Sequence, residues 1–160
     1  MNTWIRCVEE RKEALLQKWR NAPVFTSLIK SNNDSVLKHV GDKLGLKSYA
    51  NDYYFLDGLL YDKFDLVPGI PENQYWFRQI RVAFEHENYF KSGLYKEVAH
   101  LLLINSDLKV LVTYPDYEMH EEPTKTEMKY LHEIIQGTHN QKMLSDSESF
   151  LIFGSEANFG

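Results

Sequence analysis

The chain has 160 residues, 43% hydrophobic and 26% charged, a balance that fits one globular domain with a real core and excludes global disorder. No window approaches the roughly 18 uninterrupted apolar residues of a membrane span, and residues 1–9 turn charged too early for a signal-peptide core. Cys7 is the only cysteine, which excludes an intramolecular disulfide and a Cys-based structural zinc site, so a reducing, cytoplasmic setting is expected.

The net charge of -5 is unevenly spread. Residues 1–50 carry nine Lys/Arg against five Asp/Glu, and residues 51–160 carry nine against eighteen. An acidic body repels phosphate backbones at long range, whereas the basic N-terminal third can supply phosphate contacts. Solvated helix faces are the alternative reading of the same charges.

Apolar residues recur at helical spacing through residues 3–20, and Pro23 is expected to stop that helix. A second helix is predicted from Asn33 or Asp34, burying Val36, Leu37, Val40 and Leu44, with Gly45 placed to end it. Residues 53–61 are aromatic-rich and read as a strand, and residues 62–74, with two prolines and a glycine, read as a long loop. Residues 74–87 return to extended character, most strongly at Ile80–Phe84. A helix over 94–104 buries Leu94, Val98, Leu101 and Leu102, and Leu108–Tyr114 is the clearest buried strand, stopped by Pro115. Thr124, with Glu127 three residues on, resembles a capping box opening a helix to Gln136, and Phe150–Phe153 is a last strand. The expected organisation is a single domain, 1–160, with an N-terminal helical part at 1–50 and an α/β core at 51–160. A helix between two strands implies a crossover and a parallel pair, and consecutive apolar residues at Val110–Val112 imply helices on both faces of a mixed sheet.

The informative acids are Asp57, in an otherwise apolar run, and Glu85 and Glu87 at the end of a strand. Strand side chains alternate, so Glu85 and Glu87 share a face about 7 Å apart at Cα, while Phe84 and His86 point the other way. Glu85, His86 and Glu87 therefore cannot ligate one metal together. Converging carboxylates repel by about 3 kcal/mol at 5 Å and an effective dielectric near 20, and a cation removes that penalty. Solvated acids at a strand end, with Asp57 opening a turn, remain the alternative that spacing leaves open.

Asp57, then Glu85-x-Glu87, then an amphipathic helix and an apolar strand, resembles the PD-(D/E)XK nuclease superfamily over roughly residues 53–114. The resemblance implies a restriction-endonuclease-like αβββαβ core preceded by N-terminal helices. It implies Mg²⁺ or Mn²⁺ on Asp57, Glu85 and Glu87, and hydrolysis of a nucleic-acid phosphodiester, with DNA the first substrate to consider. Two departures stand out: Glu87 occupies the place of the family lysine, and Leu56 stands where proline often precedes the first acid. Lys96, on the following helix, is a candidate replacement, weighed against an ordinary solvated lysine. A catalytically inactive module of the same fold, used for binding or assembly, is the alternative function. A small-molecule-binding domain with structural carboxylates is a third. A homodimer or protein partner stays open, and no membrane association is expected. Other residues carry weaker signals. His100 reads as a packing residue, and His120, His132 and His139 lack metal-ligand spacing. Cys7 reads as a small buried hydrophobe, and Tyr53, Tyr54, Tyr61, Tyr75, Tyr89 and Tyr95 as packing aromatics with base stacking as the second option.

Overall fold

The computed structural model describes residues 2–19, 21–71, 74–88, 90, 94–114, 121–137 and 148–153. Tyr89, Pro115, His120 and His139 lie outside them. The protein is mixed α/β, and its backbone divides into two compact units, residues 1–82 and 83–160.

The first unit begins with four helices: α1 (Asn2–Glu9), α2 (Lys12–Lys18), α3 (Ala22–Ile29) and α4 (Val36–Leu44). The single helix expected over 3–20 is interrupted at Glu10 and Arg11, where the Arg11 backbone leaves the helical region (φ -115°, ψ 7°). Pro23 does not stop a helix. It lies in the first turn of α3, where its missing N–H costs nothing because that group has no intrahelical acceptor. Helix α4 has matched ends: Ser35 Oγ accepts from the Lys38 N–H at 3.1 Å, and Gly45 closes it in the left-handed region (φ 71°). Val36, Leu37 and Val40 are buried as expected, but Leu44, in the last turn, is exposed.

Two short antiparallel strands follow, β1 (Lys47–Tyr49) and β2 (Gly58–Tyr61), with Ser48 opposite Leu60. The strand expected over 53–61 is therefore half as long as its aromatic run. Residues 53–56 instead form a tight turn, with Tyr54 at φ 57° and reciprocal Tyr53–Leu56 backbone hydrogen bonds of 3.0 Å. Glycine at 58 permits a close approach, since a Cβ there would lie 2.8 Å from Leu37 Cδ2 and 3.2 Å from the Tyr49 carbonyl oxygen and would force both neighbours to shift. That close approach seats β2 against both α4 and β1. The strand order in this unit is β1-β2-β3, where β3 (Ile80–Glu87) runs across the boundary between the units.

The loop after β2 contains a short 3-10 helix, Lys63–Asp65, in which Asp62 and Asp65 cap each other's backbone. Asp65 is buried and grips Arg81 through two bonds, Nε to Oδ2 and one terminal nitrogen to Oδ1, each 2.8 Å. The guanidinium holds the Asp65 carboxyl below its ordinary range. A lowered folded-state value means stabilisation that is present above the unfolded value near 3.9 and is lost as pH falls. Asp65→Asn is expected to cost about 1–3 kcal/mol at pH 7 in chemical denaturation, and the gap from wild type should shrink below about pH 4.

The second unit holds the rest of β3, α5 (Leu94–Leu103), β4 (Ser106–Thr113), α6 (Glu121–Gly137) and β5 (Glu148–Phe153), in strand order β3-β4-β5. Strands β4 and β5 are parallel, with Val110 opposite Phe150, and α6 provides the crossover that a parallel pair needs. Helix α5 packs on β4 and on α6 through Leu94, Val98 and Leu101. Leu102 is only half-buried. Thr124 is not a cap but the fourth residue of α6. Strand β3 buries Val82 to His86 without a break, including Ala83 and Phe84 at 0% exposure, so both of its faces are covered. Among the described helices none is long and apolar enough to cross a membrane.

Candidate metal centre

Strand β3 carries Glu85 at a fully interior position, with 1% of the residue exposed. It does not end the strand in solvent. A buried carboxylate needs a compensating partner, because burial in low dielectric penalises the charged form. The partners come from α5, where Glu97 and His100 are three residues apart and so share one helix face. His100 Nδ1 lies 3.4 Å from Glu85 Oε1 and 3.2 Å from Glu97 Oε2. One ligand atom from each of the three residues falls within 4.8 Å of the others. The Glu97 and His100 side chains are 15% and 17% exposed, so the cluster is open on the helix side and closed on the strand side.

A divalent cation would balance the charge of the two carboxylates in full, with the imidazole as a neutral ligand. The donor set fits the cation that the resemblance implies, with a shift in preference. Mg²⁺ favours an all-oxygen shell, whereas one imidazole nitrogen beside two carboxylates suits Mn²⁺ better.

The other sequence candidates are distributed differently. Glu87, two residues beyond Glu85 on the same strand face, is half-buried and lies outside the trio. Lys96 is exposed and lies about 100° around α5 from Glu97. Among the described residues it forms no ion pair. Asp57 belongs to the first unit, on a bend one residue before β2 rather than in mid-strand. Its carboxylate pairs with Lys30, whose ammonium also reaches the Asp57 carbonyl at 3.3 Å and Asp52 at 3.5 Å. His86, on the opposite strand face from Glu85, is buried with its ring edge-on to Tyr114 at 5.6 Å.

Sequence reasoning missed Glu97, treated His100 as packing, and did not single out Lys30. The one available signal for the first two was their spacing of three on a helix directly following the Glu85 strand. The tyrosines serve mainly each other. Tyr49, Tyr53, Tyr61 and Tyr75 surround Phe77 with ring centroids 4.8–6.1 Å from it. Tyr95 donates to Glu127, and that acceptor pushes its hydroxyl up to about 12.

No family model, curated protein or solved structure matches this chain.

Proposed function

We propose that the second unit binds a divalent cation through Glu85, Glu97 and His100, and that the chain is a metal-dependent phosphodiesterase of the restriction-endonuclease-like class acting on nucleic acid, DNA first. The observation that carries this reading is the interior carboxylate of Glu85 facing a second carboxylate and an imidazole within 4.8 Å. The succession α4-β1-β2-β3-α5-β4 supports it, since it repeats the αβββαβ order that the resemblance implies. Glu85 also occupies the strand on which that class carries its second acid.

A bound divalent cation would neutralise phosphate charge and make a water more acidic at neutral pH. The chain's own residues do the remaining work. Glu85 and Glu97 supply oxygen ligands, and β3 fixes Glu85 rigidly because its neighbours Phe84 and His86 are buried. His100 supplies a nitrogen ligand between the two carboxylates.

Other features give the second reading its support. An ammonium already neutralises Asp57, and Glu87 stands where the class has lysine, as in a module that keeps the fold and lacks the reaction.

The experiment is cleavage of single- and double-stranded DNA and RNA with Mg²⁺ or Mn²⁺, run beside thermal melts. The expected result is Mn²⁺-favoured cleavage, lost in Glu97→Gln, with a melting rise on metal addition. At a hundredfold excess over Kd that rise corresponds to about 2.7 kcal/mol, or roughly 5–10 °C for a chain of this size. A metal-dependent rise without cleavage selects the binding module. No rise and no cleavage overturns the metal reading altogether.

A further inference from the structure

We propose a second metal site, in the first unit, formed by Cys7, Glu10 and His39 and selective for a thiophilic divalent cation of the Zn²⁺ or Co²⁺ kind. Cys7 lies on α1, Glu10 follows immediately after that helix one turn further on, and His39 comes from α4, which packs against α1. Their sulfur, oxygen and nitrogen atoms all fall within 4.8 Å of one another. Zinc bond lengths of about 2.0–2.3 Å in tetrahedral geometry place donors roughly 3.3–3.6 Å apart, so small side-chain movements close the trio on one ion.

The surroundings are arranged for a ligand set. Glu10 uses its two oxygens differently: Oε1 accepts from Lys43 Nζ at 2.5 Å, while Oε2 faces His39 Nε2 at 2.8 Å. Lys43 thus acts as an outer partner that orients the carboxylate, and a cation would replace the Oε2–Nε2 hydrogen bond by taking both atoms as ligands. Cys7 is fully buried, whereas the Glu10 and His39 side chains are 49% and 35% exposed, so an ion would meet the carboxylate and imidazole first. Burial pushes the Cys7 thiol up, and a cation would reverse that by taking sulfur as thiolate and releasing the proton to water. The sulfur donor discriminates against Mg²⁺ and Ca²⁺. Having only one cysteine excludes multi-cysteine zinc sites, not a mixed one. Three protein ligands leave one position for water or an outside ligand.

The test is titration of the full chain with Co²⁺, followed by displacement with Zn²⁺. A sulfur-to-cobalt charge-transfer band is expected, and it reports Cys7 alone because the chain has no other cysteine. The band should vanish in Cys7→Ser and should need more than about tenfold higher metal in His39→Gln, a half-buried, similarly sized substitution expected to leave folding intact. It should be unchanged in Glu85→Gln, which separates this site from the one in the second unit. Cobalt binding without the band, or a band of unchanged affinity in His39→Gln, overturns the proposal.

Discussion

Glu85→Gln is expected to lower metal-dependent cleavage by about 100-fold or more while leaving the metal-free protein folded. A metal ligand contributes several kcal/mol of charge stabilisation, and about 2.7 kcal/mol already corresponds to a factor of 100. The substitution keeps the shape of the side chain and leaves it beside His100, whose Nδ1 lies 3.4 Å from Glu85 Oε1. It also relieves the repulsion between Glu85 and the nearby Glu97 carboxylate, which offsets the lost interactions of the buried acid, so metal-free stability should change by about 1 kcal/mol or less. The melting rise on Mn²⁺ addition should disappear with the activity. The measurements are cleavage rates and paired melts with and without Mn²⁺. A variant that melts far below wild type without metal would show that Glu85 is a structural partner of His100. Activity that survives would place the chemistry elsewhere.

Phe84→Ala is expected to give the opposite pattern. Phe84 is 0% exposed and points to the opposite face of β3 from Glu85. Truncating a buried phenylalanine costs about 3–5 kcal/mol, part lost transfer energy and part unfilled cavity. For a chain of this length the melting temperature should fall by roughly 10 °C. At temperatures where the variant is folded, the Mn²⁺-dependent rise should persist, because the Glu85 side of the strand keeps its partners. Chemical denaturation with and without metal checks both statements. A variant as stable as wild type would mean that the strand is not the core element its burial implies, and loss of the metal response would mean that the two faces are coupled.

Several elements were legible in the sequence because their signals are local. Gly45 ends α4 since the left-handed conformation there favours glycine. The β4 strand showed in its continuous apolar run, and the buried stripe of α5 in the spacing of Leu94, Val98 and Leu101. Other elements misled for equally local reasons. The aromatic run at 53–61 has strand composition throughout, yet Tyr54 adopts a left-handed backbone that ends any strand. Strand β1 is three residues long, too short to show alternation. Pro23 carries the same signal whether it closes one helix or opens the next.

The candidate sites divide along the same physical line. The sequence by itself determined the class, mixed α/β, and singled out Glu85 and Glu87 as acids sharing one face at the end of a strand. Local periodicity suffices for that, since it depends on which face each side chain takes. Only the tertiary structure decided which groups meet: His100 and Glu97 beside Glu85, Lys30 on Asp57, and His39 beside Cys7, 32 residues away in the chain. Such pairings depend on how α5 lies on its sheet and how α1 packs on α4. Those arrangements are set by the sum of many apolar contacts between distant segments, and no single spacing along the chain encodes them.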